Sequence, residues 1–446
     1  MRYLAHTRRL AAATPASRNR VVDFWRVAAI LIVICGHWLA ASVWVKADGG
    51  MAFRNSLEWI PGGTWVTWIF QVMPVFFFAG GYSNLRGLAA INAGSQARSD
   101  WVTRRARRLF APVMPLLGLW VILILALRNM VPDGIRVGAL TATMPIWFLA
   151  VYLSLTALAP WTYAWWRRMG PWTILILAAA AVSVDVARFA LGVPGIGWVN
   201  FGFVWALVHQ VGYWWSEQDD RGGLPRWAGW PLAAGAGAVL VAVTWSGLYP
   251  VAMVTIPGRG VANMTPPTFA IALLGLVQLG IIGGTRGAVQ RLMARARAWH
   301  AIVSLGGISM TLFLLHLTAA VVVTGIGLFA FHGAVLRIVP GSGLWWAVRP
   351  AWFAVCVLVT LGLAAVFARF EWAVGEAPPP ARAGLALGLV LLVCASAATA
   401  LVGIATRDGS LDWRRWCIPA AALTGAALLG ALPAPRLRRS RRGAPA

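Results

Sequence analysis

The chain has 446 residues, 60% of them hydrophobic and 11% charged, with a mean hydropathy of +0.73 and a formal net charge of +25. Repeated stretches of about 20 apolar residues read as transmembrane helices and exclude a soluble domain, and long apolar runs without strict alternation exclude barrel strands. The positive charge follows membrane topology rather than nucleic-acid binding: with a cytoplasmic N-terminus and alternating loops, most Lys and Arg fall on cytoplasmic segments.

Residues 1–20, MRYLAHTRRLAAATPASRNR, read as a basic cytoplasmic tail leading into a retained helix rather than a cleaved leader. A first span at 21–43 is followed by an outer loop with Lys46, Asp48, Arg54 and Glu58, and a second span at 64–85 contains QVMPVFFFAGGYSN. A basic inside loop holding Arg86, Arg98, Arg104, Arg105, Arg107 and Arg108 then leads into a third span at 109–130. Further spans are expected at 145–165, 172–191, 199–215, 230–248 and 267–284. A second basic inside loop, TRGAVQRLMARARAW, precedes a ninth stretch at 301–331, too long for one upright helix and therefore tilted, broken or part loop. A tenth span at 345–367 closes a membrane domain of residues 21–370.

The composition then shifts. A polar, Pro-rich linker covers 371–383, two almost purely apolar spans occupy 384–432, and a basic tail covers 433–446. The expected fold is an all-α polytopic bundle of about 12 spans, with both termini cytoplasmic, in the plasma (inner) membrane of a bacterium. The cysteines, Cys35, Cys356, Cys394 and Cys417, lie in apolar stretches at spacings that match no zinc motif, so neither a metal nor a disulfide framework is expected. The glycine pairs at Gly62, Gly80 and Gly283 lack the Lys and the strand–helix context of a phosphate-binding loop.

Two ionisable residues stand out in the first span, Arg26 and His37 in DFWRVAAILIVICGHWLAAS. Such groups inside a lipid-spanning helix are costly and are functional candidates by default. Eleven residues bring them to nearly the same helix azimuth, roughly 16 Å apart along the axis. A guanidinium and an imidazole on one stripe suit a long anionic substrate. Arg26 can alternatively snorkel to the headgroups or pair with Asp23, and His37 can be a hydrogen-bonded structural histidine.

Five local features, taken in order, resemble the acyltransferase-3 family of integral-membrane O-acyltransferases. RVAAILIVICGH carries an Arg, ten residues and a His; MPVFFFAGGYSN is similar to the family's Phe-rich second helix; WVTRRARRLFAPVMP to its basic approach to span three; MPIWFLAVYLSLTALAP to its fourth helix; and ISMTLFLLHL to a late helix with a central histidine. The late motif departs at Phe313 and Leu315, where aromatic and Trp residues often occur. The resemblance covers roughly residues 20–370 and leaves the last two spans outside.

The resemblance implies an acyl-coenzyme A donor, most simply acetyl-coenzyme A, bound from the cytoplasmic side, and a hydroxyl-bearing acceptor such as a glycan, a lipid-linked sugar or a secondary metabolite. Arg26 with Arg104 and Arg108, one turn apart, is then expected to hold the donor's phosphates, since guanidinium is permanently charged and bidentate towards phosphate. His37 is expected to act as general base or as acyl carrier, with His316 as a possible helper. His209 reads as structural, His300 and His332 as interfacial, and His6 carries no signal. Asp185 with Arg188 reads as a self-neutralising pair, Asn263 and Thr265 as turn chemistry, and Gln71, Tyr82, Ser83, Asn84 and Trp147 as cavity lining or helix–helix glue. The rival readings are a secondary transporter or flippase, which needs paired helix interruptions and a midplane ion site, and a non-catalytic scaffold.

Overall fold

The structure is a computed structural model that describes residues 2–15, 18–45, 51–58, 60–91, 95–223, 225–256, 260–331, 333–372, 380–406 and 408–432. Lys46, Asp48, His332, most of the Pro-rich linker and the basic tail 433–446 lie outside the described residues. In chain order the first helices are α1 (Arg2–Ala12) and α2 (Arg20–Ala40), followed by a hairpin of β1 (Ala41–Val45) and β2 (Met51–Asn55). Then come α3 (Gly63–Phe70), α4 (Met73–Ala89), α5 (Ser95–Phe110), α6 (Val113–Leu127), α7 (Pro132–Thr143), α8 (Ile146–Met169), α9 (Trp172–Phe189) and α10 (Asn200–Asp220). The chain continues through α11 (Gly229–Trp245), α12 (Phe269–Ala294), α13 (Ala296–Gly306), α14 (Ser309–Phe329), α15 (Gly343–Trp372), α16 (Arg382–Leu401) and α17 (Trp413–Leu429).

The result is a polytopic helical bundle. Among the described residues nine helical stretches are long and apolar enough to cross a membrane, and α11 is a shorter apolar helix. The small hairpin is a departure from an all-helical reading: ASVWV is rich in β-branched residues and lies just past the first span. Both stretches read as basic loops are largely helical, Arg98–Arg108 within α5 and most of 285–299 within α12 and α13, since neither contains a proline and both are rich in the helix formers Ala and Arg. The overlong ninth stretch is broken, with α13 ending at Gly306 and α14 starting at Ser309.

The N-terminal tail is a docked helix rather than a loose segment. The Tyr3 hydroxyl donates to the Ser304 carbonyl at 2.5 Å, Thr7 Oγ1 meets His300 Nε2 at 3.1 Å and Ser304 Oγ at 2.8 Å, and Trp299 Nε1 donates to Thr14 at 3.0 Å. Burial first, and then the nearby Glu371 carboxylate, push the Tyr3 phenol up to about 12, so it remains a donor at neutral pH. His300 therefore belongs to the α1–α13 contact, and His6 is exposed.

One break lies inside the second span. Gln71 and Val72 are non-helical between α3 and α4, and Pro74 sits in the first turn of α4. Apolar surroundings penalise the freed backbone groups unless protein satisfies them. Gln278 Nε2 of α12 donates to the Gln71 carbonyl at 2.7 Å, the Gln71 side-chain oxygen accepts from Met73 N at 3.2 Å, and its Nε2 donates to the Met253 carbonyl at 3.0 Å.

Small residues set the closest helix approaches. A Cβ on Gly81 of α4 would lie 1.9 Å from the His209 carbonyl of α10. The glycine pair in this span is thus a packing device.

Candidate active site

His37 lies in the last turn of α2, and His316 lies in the middle of α14, 279 residues later in the chain. The fold joins them. His37 Nδ1 is 2.8 Å from His316 Nε2, with the rings 18° from parallel. Behind this contact, His316 Nδ1 is 2.6 Å from the Phe313 carbonyl. Trp38 holds the two helices in register by donating its indole N–H to the His316 carbonyl at 2.9 Å.

The hydrogen-bond chain assigns the tautomers. A carbonyl only accepts, so His316 Nδ1 carries a proton and, in the neutral ring, its Nε2 offers a lone pair. His37 Nδ1–H then donates to that lone pair, which leaves His37 Nε2 as the unprotonated ring nitrogen. His316 is fully buried, whereas His37 lines a cavity of about 1370 Å³. An imidazole at the wall of a cavity, with one nitrogen fixed by a hydrogen bond and the other left as a base, is a layout suited to proton transfer or nucleophilic attack.

The cavity reaches α2 only at Val33, Gly36, His37 and Ala40. Gln71 and Trp147 also line it. Tyr82 and Asn84 do not: Asn84 Nδ2 bonds His209 Nε2 at 3.1 Å inside the α4–α10 contact. Asp185 is a buried tether, accepting from Asn200 at 2.9 Å, Tyr249 at 2.8 Å and the Phe269 amide at 2.7 Å. Asn263 is fully buried and staples the 250–268 segment through the Pro250 and Ala252 carbonyls and the Thr268 hydroxyl.

Arg26 sits at the opposite end of α2 from His37. Its guanidinium is 3.2 Å from Asp23, which also accepts from Arg18 Nε at 2.6 Å, and the Arg26 Nε is buried without a protein partner. Among the described residues, the cavity that His37 lines does not include Arg26. The cavity stops at Val33, and buried Ile30 follows.

An aromatic ladder leads away from the histidine pair. Tyr152 lies 5.3 Å from Phe148, Phe148 lies 5.5 Å from Phe313, and Phe313 lies 6.0 Å from His316, ring centre to ring centre. At its far end Tyr152 is an electrostatic neighbour of Arg105.

The basic run divides by helix face. Arg104 and Arg108 are exposed, one turn apart on α5. Arg107 is buried and donates its Nε to the Leu429 carbonyl of α17. Arg105, which its sequence context did not single out, turns inward, stacks on Trp101 and donates to the Ser83 carbonyl at 3.1 Å. It lies within electrostatic range of both Arg26 and Arg108. Glu371 neighbours Arg108 from the end of α15, where it accepts from the Thr311 amide at 3.0 Å and the Thr311 hydroxyl at 2.6 Å. Glu371 is therefore part of a helix that anchors the start of α14, not of a linker. No cluster of three or more His, Cys, Asp or Glu suited to a metal ion occurs among the described residues.

Fold and site together define a multi-pass membrane protein with a hydrogen-bonded histidine pair, one ring of which lines a cavity, and a group of neighbouring arginines. A family profile described as an acyltransferase domain matches residues 19–369, and the chain belongs to the acyltransferase-3 family. It is a membrane acyltransferase. No curated protein and no solved structure matches the chain.

Proposed function

We propose that the protein moves an acyl group, most simply acetyl, from acyl-coenzyme A to a hydroxyl of a glycan, a lipid-linked sugar or a related metabolite. The observation that carries this reading is the free Nε2 of His37 at the cavity wall, with Nδ1 held by His316. As base, His37 Nε2 takes the acceptor hydroxyl proton while the oxygen attacks the thioester carbonyl; the carbon–sulfur bond breaks, and the imidazolium returns the proton to the departing thiolate. As acyl carrier, the same nitrogen attacks the thioester carbonyl and the carbon–sulfur bond breaks to release coenzyme A thiolate; the acceptor oxygen then takes the acyl group, the nitrogen–carbon bond breaks to restore the neutral imidazole, and the hydroxyl proton goes to the thiolate. His316 orients His37 in both routes.

Arg26, Arg105 and Arg108 hold the donor's phosphates at the mouth, with Arg104 one turn from Arg108 on the same face of α5. The partnerless Nε of Arg26 and the proximity of Arg105 to both Arg26 and Arg108 support this, because guanidinium groups brought together favour an anion between them. The pantetheine arm then replaces part of the aromatic ladder on its way to His37. The basic end of the bundle faces the cytoplasm, both termini lie on that side, and the protein resides in the inner membrane with twelve passes.

The transporter reading has less support. The break at Gln71 is the kind of feature transporters use, but its backbone carbonyl is taken by Gln278 rather than left for an ion. The test is release of coenzyme A thiol from acetyl-coenzyme A by the purified full chain. Thiol release supports acyl transfer; flux of an unmodified solute across vesicles without thiol release supports the rival.

A further inference from the structure

The family match ends at residue 369, yet the cavity does not. Val393, Ala397, Ala400 and Leu401 of α16 form part of its wall. The α16–α17 pair is fastened to the bundle. Arg107 binds the Leu429 carbonyl, Arg128 donates to the Gly409 carbonyl at 3.1 Å, and a Cβ on Gly403 would lie 2.4 Å from Leu140 of α7. α16 thus supplies part of the wall of the chamber in which His37 stands, and α17 packs against α16.

The chamber also meets the outer surface of the bundle. Val322, Ile326 and Phe329 form an exposed stripe on α14 at i, i+4 and i+7, the pattern of a lipid-facing strip, and Val322 and Phe329 line the cavity as well. Leu158 of α8 and Leu401 of α16 share this double role. The polar lining includes His37, Asn55, Thr67 and Gln71, whereas the α16 wall is apolar and the α14 wall is apolar apart from Thr318 and Thr324. Ligand pockets commonly measure about 300–1,000 Å³. A volume of about 1370 Å³ exceeds what an acetyl group and one sugar ring fill.

We propose that α16 makes this chamber a site for a membrane-borne acceptor: an amphipathic molecule whose hydroxylated head lies at His37 and whose apolar tail lies along α14 and α16, entering from the bilayer. Apolar walls reward burial of a tail in proportion to its area, and a lateral mouth spares that tail a passage through water. The inference rests on the acyl-transfer reading for the meaning of the head group, but not for the existence of the tail site.

The test is photo-crosslinking of the full chain in nanodiscs with dodecyl glucoside carrying a diazirine in its alkyl chain, without acyl donor, mapped by mass spectrometry. Adducts are expected on α16 residues 393–401 and on the cavity side of α14, competed by untagged dodecyl glucoside and not by glucose. Ala397→Trp and the milder Ala400→Leu should each weaken competition about tenfold, whereas Leu387→Trp, on the exposed face of α16, should not. Adducts confined to exposed positions such as Leu387 and Val390, or competition by glucose, overturn the proposal. Thiol release with no cavity labelling sinks this inference alone. Cavity labelling with no thiol release leaves the tail site standing and sinks the acyl-transfer reading.

Discussion

His316 Nε2 stands 2.8 Å from His37 Nδ1, and the Phe313 carbonyl fixes His316 from the other side. Two helices far apart in the chain thus build one oriented imidazole, of which only the His37 ring reaches the cavity.

Removing His316 should therefore affect turnover rather than donor binding. His316→Leu is expected to lower kcat by about 10²-fold, at the lower end of what general acid–base catalysis contributes, with the donor KM nearly unchanged. His316→Gln, whose amide oxygen can accept from His37, should recover part of that loss. Equal loss in both variants, or a change confined to KM, assigns His316 to packing instead. Steady-state kinetics of thiol release make the measurement.

At the basic mouth, Arg26→Ala, Arg105→Ala and Arg108→Ala should each raise the donor KM roughly 10- to 100-fold, the equivalent of one charge-assisted hydrogen bond of about 1.5–3 kcal/mol. Arg104 is expected to contribute less, since Arg105 interacts electrostatically with Arg26 and Arg108. Titration calorimetry with coenzyme A tests the order, and the affinity should fall as ionic strength rises.

In the proposed reading the aromatic ladder stands between the cationic mouth and the cavity. Phe148→Leu should open it and admit water, so that thiol release without acyl transfer to acceptor increases several-fold relative to coupled transfer. A proportional drop in both, as from simple misfolding, argues against a partition. Phe148→Ala is a poorer choice, because deleting a buried ring costs about 3–5 kcal/mol.

The break at Gln71 gives a stability prediction independent of catalysis. Gln278→Leu leaves the Gln71 carbonyl without the 2.7 Å donor and should destabilise the protein by about 1–3 kcal/mol, read as a lower thermal midpoint in detergent. An unchanged midpoint means that another donor reaches the carbonyl.

Much of this was legible in the residues themselves. An Arg and a His within one apolar helix announce cost and hence purpose, and the length of the ninth stretch announces a tilt, a break or a loop, of which the structure shows the break. The meeting of His37 with His316 was not legible, because helix spacing gives a face but not which neighbour that face meets. The same limit hid the choice between Arg104 and Arg105: both are one residue type in one run, and only the packing of α5 against Ser83 of α4, with Trp101 of α5 beneath the guanidinium, turns the second inward. The groove expected between Arg26 and His37 follows from azimuth alone, and azimuth says nothing of Phe148 or Phe313 arriving from other helices. The role of α16 was equally hidden, since Ala and Val in an apolar run look alike whether they face lipid, protein or a cavity.

The most direct test of the account is thiol release from saturating acetyl-coenzyme A by the full-length His37→Ala variant, measured beside its donor affinity. The account predicts release at the protein-free rate with donor affinity within about twofold of the unsubstituted protein. Release at the unsubstituted rate by the His37→Ala variant contradicts it.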